Sequence, residues 1–180
     1  MIYIVSTLKA EAFIDVYKLK KTRVGNYFLF SNDLFVLIMS DEGVANTRIA
    51  TQTLINLFDI SDDDIYIHIG VCKAPAEYEK NALMEIDAIS YEDKLYILKA
   101  QPKHILTCLD EEANEEKTTL VDRESFGFYD AVMHSPAIKN FFVFKVISDC
   151  SEAQEMSEDA TKILVSNVLE EIEKIVHERS

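Results

Sequence analysis

The chain has 180 residues, 48% of them hydrophobic and 28% charged, and a formal net charge of −14. That size and apolar content suit one globular domain with a sizeable core, and no apolar run approaches the roughly 18–20 residues of a membrane span. A chain this acidic is repelled by phosphate backbones and anionic lipid, so neither nucleic acid nor a membrane is an expected partner.

Met1 to Ser6 lacks the basic start of a signal peptide and reads as a first, buried strand. Leu8, Ala12, Phe13, Val16, Tyr17 and Leu19 follow at roughly helical spacing. Tyr27 to Phe30 and Leu34 to Met39 flank the polar turn Ser31-Asn32-Asp33 and predict a hairpin. Gly43 precedes a helical pattern from Val44 to Phe58. From Asp64 to Gly70 the chain alternates strictly, Ile65, Ile67 and Ile69 to one side, Tyr66 and His68 to the other. Further strands are expected at Ile86 to Ser90, Leu95 to Leu98, Ile105 to Thr107, Thr118 to Val121 and Phe141 to Ile147. Helices are expected at Ser125 to His134 and from about Ser157 to His177, where Leu164, Val168 and Ile172 form an apolar stripe. Strands interleaved with helices predict an α/β fold, a three-layer αβα sandwich around a central mixed β-sheet, as a single domain over residues 1–180.

The acidic runs Asp62 to Asp64, Asp110 to Glu116 and Glu152 to Asp159 lie between apolar segments and read as solvated surface; none has the glycine of a calcium loop. With only four glycines, no phosphate-binding loop or dinucleotide fingerprint can be built, and no zinc motif or nucleophile elbow is present. No cofactor and no metal is therefore expected. The four histidines are scattered and read as surface or packing residues. Three widely spaced cysteines, Cys72, Cys108 and Cys150, make no disulfide framework and suggest a reducing cytoplasm.

What remains is a set of acids at strand ends, where ligands of α/β sheets gather. Glu11 lies just past the first strand, Glu124 follows Leu120-Val121-Asp122-Arg123, and Asp149 closes the very apolar Phe141 to Ser148. A carboxyl beside so much apolar surface has a tendency toward a raised pKa and general-acid work, whereas each acid alone is equally suited to capping a helix.

Val146-Ile147-Ser148-Asp149, Val121-Asp122-Arg123-Glu124, the strand-then-Glu11 start and Ser40 to Asn46 together resemble the nucleoside phosphorylase superfamily, in its methylthioadenosine/S-adenosylhomocysteine nucleosidase branch. The resemblance implies cleavage of the N-glycosidic bond of a purine nucleoside or thio-nucleoside, with water favoured over phosphate. It implies that Asp149 is the acid that protonates the leaving purine, with Ser148 beside it, and that Glu11 orients the water. Glu124 would accept hydrogen bonds from the ribose hydroxyls, and Arg123 stands where the family carries a methionine against the sugar. Gly70-Val71-Cys72-Lys73-Ala74 stands where the family has a glycine-rich turn at the ligand. Family members often form homodimers. The alternative reading is a catalytically degenerate member that binds a nucleoside as a regulatory or interaction protein. An unrelated α/β domain would betray itself by a different strand order.

Overall fold

The computed structural model describes residues 1–25, 27–110, 119–148 and 157–179. Its larger sheet has seven strands in the order β2-β3-β4-β1-β5-β11-β6. These are β1 (Ile2–Ser6), β2 (Lys20–Val24), β3 (Tyr27–Ser31), β4 (Phe35–Met39), β5 (Ile65–Cys72), β6 (Leu83–Glu85) and β11 (Asn140–Ile147). Strands β4, β1, β5 and β11 run parallel; β2, β3 and β6 run antiparallel to their neighbours, so the sheet is mixed. A second sheet has the order β10-β9-β7-β8, from β7 (Ala88–Tyr91), β8 (Lys94–Ile97), β9 (Ile105–Cys108) and β10 (Leu120–Asp122). The two sheets meet where Lys73 and Val121 exchange backbone hydrogen bonds of 2.9 Å.

The alternation in β5 sorts the core into two faces. Ile65, Ile67, Ile69 and Val71 join Ile2, Ile4 and Leu37 under α1 (Ala10–Tyr17) and α4 (Glu158–Arg179). Tyr66 and Cys72 join Tyr3, Val5 and Ile38 under α2 (Val44–Leu57), α3 (Ser125–Met133) and the second sheet. Helices cover both faces, so the expected three-layer α/β sandwich with a mixed sheet is what forms.

Local chemistry fixes the joints. Lys18 ends α1 in the left-handed region at φ 57°, its N–H on the Ile14 carbonyl. Asn32 sets the hairpin: its Oδ1 accepts from the Leu34 and Phe35 amides at 2.8 and 2.7 Å, and its Nδ2 donates to the Tyr17 carbonyl at 2.8 Å. Three expectations need correction. β2 was not anticipated, because an edge strand reading Lys20-Lys21-Thr22-Arg23 is exposed and carries no apolar alternation. The strand expected at Ile86 to Ser90 is β7, which starts only at Ala88, after Asp87, whose carboxylate accepts the Lys103 and His104 amides; the short β6 before it, in the large sheet, was not anticipated. Asp64 is not solvated surface; it is buried, pairs with the Met1 ammonium at 2.8 Å and accepts the Ser61 amide. Most of the two later acidic runs, and Cys150, lie outside the described residues. Cys72 and Cys108 are buried free thiols. Among the described residues no helix is long and apolar enough to cross a membrane.

Candidate active site

The carboxyl ends of β1, β5, β11 and β10 come together on the α3 side of the sheet. Register places Lys145 of β11 opposite Gly70 of β5, and Thr7 follows Ser6, the partner of Ile69. The first two face the layer that α3 covers, as do His68 and Val143.

Lys145 is the centre of the arrangement. Its side chain has no solvent exposure, and its ammonium reaches three groups: Asp122 Oδ2 at 2.7 Å, Glu124 Oε2 at 2.9 Å and His68 Nε2 at 3.0 Å. A lysine has three N–H donors, so these partners satisfy it completely. For Nε2 to accept, His68 must be neutral with its proton on Nδ1, which then donates to the Val5 carbonyl at 3.1 Å. Burial and the neighbouring ammonium agree, holding the imidazole pKa down to about 3. Phe128 of α3 stacks over the ring at 5.6 Å.

The two carboxylates share one ammonium unequally. Asp122 also accepts the amides of Ser125 at 2.9 Å and Glu124 at 3.3 Å, and the Ser125 hydroxyl at 2.8 Å. Although burial opposes the charge, Lys145 and these donors hold its carboxyl below the usual range. Glu124 has Lys145 alone, so burial dominates and pushes its pKa up to about 7. The two shifts have opposite signs for one shared cation, and the donor inventory explains the division. Glu124 is the N-cap residue of α3 but its side chain makes no capping bond; Asp122, two residues earlier, accepts the first amides instead. The second oxygen of Glu124, Oε1, has no protein partner among the described residues.

Gly70 is required by this packing. A Cβ there would stand 2.7 Å from Lys145 Nζ, 3.3 Å from Thr7 Oγ1 and 3.4 Å from Glu124 Oε2. The missing side chain is what lets the lysine pass. His68, Asp122 and Glu124 also form a metal-ligand constellation, with ligand atoms within 4.8 Å of one another. The Lys145 ammonium bonds all three and already serves as their cation.

The other residues singled out by sequence distribute as follows. Glu11 is exposed in the first turn of α1 and is not part of the Lys145 cluster. Arg123 does not pair with Glu124; its Nη1 lies 3.5 Å from Glu42 Oε2, tying the β10–α3 corner to the loop before α2. Val71 points its side chain to the opposite, α1/α4 face. Ser148 is buried, its amide on the Cys72 carbonyl at 2.9 Å. Asp149 lies outside the described residues. Sequence reasoning missed Lys145, His68 and Asp122. One signal was available: Lys145 interrupts the apolar Phe141 to Ile147, and a charge on the inner face of a buried strand needs partners.

No family model matches the chain, and no curated protein matches it in sequence. Solved structures do match in shape. A futalosine hydrolase mutant of Helicobacter pylori superposes with a TM-score of 0.73 at 11% identity, covering 96% of this chain and 98% of the other. The 5′-methylthioadenosine/S-adenosyl homocysteine nucleosidase of Campylobacter jejuni gives 0.71 at 16%, with the same coverage. The 5′-methylthioadenosine/S-adenosylhomocysteine nucleosidase of Streptococcus pneumoniae, held with a transition-state inhibitor, gives 0.69 at 15%, covering 93% and 96%. The chain therefore has the α/β fold that the hydrolase and these nucleosidases share. At such identities the likeness concerns the fold; the chemistry has to be argued from the site.

Proposed function

We propose that residues 1–180 form one nucleosidase-like domain that hydrolyses the N-glycosidic bond of a purine nucleoside or thio-nucleoside. One observation carries this reading. Glu124 stands at the carboxyl ends of the parallel strands with one oxygen fixed by Lys145 and the other unpaired among described groups. An oxygen so held is suited to accept hydrogen bonds from a sugar diol. The fold likeness over 96% of the chain supports the choice of nucleosides.

Charge favours the chemistry. Above about pH 7, where Glu124 is ionised beside ionised Asp122, protonated Lys145 and neutral His68, the buried group carries a net −1. Cleavage develops positive charge on the sugar; a unit charge about 5 Å away at an effective dielectric of about 20 is stabilised by about 3 kcal/mol. The same net charge repels inorganic phosphate, since both nearby cations, Lys145 and Arg123, are paired with carboxylates. Water is the better nucleophile here. Glu11 is assigned its orientation and Asp149, directly after Ser148, protonation of the leaving base; such acid assistance contributes about 10²–10⁴-fold. The reading includes a small-molecule partner, a cytoplasmic setting and a possible homodimer.

Release of free base from a panel of purine nucleosides and 5′-thio-nucleosides, with and without phosphate, tests it. Base is expected in phosphate-free buffer and is expected to vanish in Asp149→Asn. Turnover that requires phosphate would replace hydrolysis by phosphorolysis. A second reading, nucleoside binding without turnover, is favoured by Lys145, whose three donors are all committed to Asp122, Glu124 and His68 and leave none for a reacting group. Thermal stabilisation by a nucleoside without base release would select it.

A further inference from the structure

We propose that the hydroxyl of Thr7 is a ligand-binding group, which hydrogen-bonds a hydroxyl of the ribose held beside Glu124; this rests on the nucleoside reading above and adds a residue to it. Thr7 follows β1 directly and is 8% exposed. Its Oγ1 is buried and has no hydrogen-bond partner among the described residues. Its neighbour shows what a structural hydroxyl looks like in the same place: Ser6 Oγ donates to the Ile69 carbonyl at 2.8 Å and accepts the Leu8 amide at 3.1 Å. Buried polar atoms are nearly always paired, because an unpaired one forfeits its hydrogen bonds to water.

The position of this unpaired group gives it meaning. Thr7 Oγ1, Lys145 Nζ and Glu124 Oε2 all lie within 3.4 Å of the point a Cβ on Gly70 would occupy. Thr7 Oγ1 therefore lies beside the Glu124 carboxylate, whose Oε1 has no partner among the described residues. Lys145 has no donor left for a ligand, having spent all three on Asp122, Glu124 and His68. Thr7 and Glu124 Oε1 are thus the groups of this cluster still able to bond. The hydroxyl can both donate and accept, and the carboxylate oxygen accepts. Together they match a polyol, whose adjacent hydroxyls can donate to the carboxylate and exchange a bond with Thr7. An anion fits poorly, because it would face Glu124.

The test uses the full chain with 5′-methylthioadenosine and adenosine as probes, each beside its 2′-deoxy and 3′-deoxy analogue. Affinities are read by calorimetric titration, and melting of the free protein is followed in parallel. Thr7→Val is expected to leave the melting temperature unchanged or raise it, since an unpaired hydroxyl is removed. It is expected to weaken binding of the intact nucleoside by about five-fold. The analogue lacking the bonded hydroxyl should bind Thr7→Val and wild type alike, because the two changes remove one interaction. Thr7→Ser should keep the affinity. Equal binding of the intact nucleoside by Thr7→Val and wild type would overturn the proposal, as would equal weakening toward every analogue. Should Thr7→Val fail to fold, the analogues decide on wild type: no discrimination against either deoxy form overturns the proposal. Wild type that binds none of the probes overturns the nucleoside reading and this inference together, whereas binding that ignores position 7 overturns only this inference.

Discussion

The two faces of the seven-stranded sheet are built from the same strands and bury opposite kinds of chemistry. On the α1/α4 side, β1, β5 and β11 contribute Ile2, Ile4, Ile65, Ile67, Ile69, Phe144 and Val146, packed on Leu164, Val165 and Val168. On the α2/α3 side, alternate residues of the same strands include His68, Gly70 and Lys145, with Asp122 and Glu124 brought in from the second sheet. The first face is what stability alone would select. A buried ion pair is often no more stabilising than apolar residues of similar volume, so the second face is organised for something other than stability. The comparison separates the side chains that hold the fold from those that define a site, although both sets are equally buried.

Substitutions on the two faces should therefore separate stability from ligand binding. The largest effect is expected for Lys145→Met, which strands two buried carboxylates and should cost about 3–5 kcal/mol in urea unfolding as well as abolish nucleoside binding. Phe13→Ala on the apolar face should cost about as much, 3–5 kcal/mol, through the cavity it leaves, yet the protein that remains folded should bind nucleoside normally. Gly70→Ala forces Lys145 to move and should cost about 1–3 kcal/mol, with a disproportionate loss of binding. Equal binding losses in Phe13→Ala and Gly70→Ala would erase the distinction between the faces.

A smaller effect sharpens it through pH. Glu124 has a folded pKa of about 7 against 4.5 for a free glutamate, so its contribution to stability is full below 4.5 and is lost as pH rises through 7. His68, at about 3 against 6.5, does the reverse: its contribution is full above 6.5 and is lost as pH falls through 3. The two slopes oppose each other between pH 4.5 and 6.5. Glu124→Gln should uncover the His68 slope, so that urea midpoints rise with pH across that window more steeply than in wild type. A flat profile in Glu124→Gln would contradict the neutral, buried imidazole. The smallest effect is expected at the hairpin turn, where Asn32→Ala removes three hydrogen bonds near the surface and should cost about 1–2 kcal/mol without touching binding.

Periodicity made most of the fold legible, because most elements bury one face. The alternation of Ile65, Ile67 and Ile69 against Tyr66 and His68 is the division of the core itself. What escaped was structure without an apolar signature: the exposed edge strand Lys20–Val24, and the three-residue β6, whose pairing with β11 is set by tertiary contact. The site was legible in part for a related reason. Glu124 was found because it follows a strand, but the residues that determine its state were not. Lys145 and His68 each sit alone in an apolar run, and only the pairing of β11 with β5 brings them to one another and to Asp122. Asp122 read as one acid among 32 in the sequence, and its role as acceptor for Ser125 and partner of Lys145 depends on the turn it makes.

The most direct measurement is a crystal structure of the protein grown with 5′-methylthioadenosine or adenosine. The account predicts sugar hydroxyls within hydrogen-bond distance of Glu124 Oε1 and Thr7 Oγ1, with Lys145 still bonded to Asp122, Glu124 and His68. A nucleoside bound elsewhere, or none bound at millimolar concentration while that buried group keeps its arrangement, would contradict it.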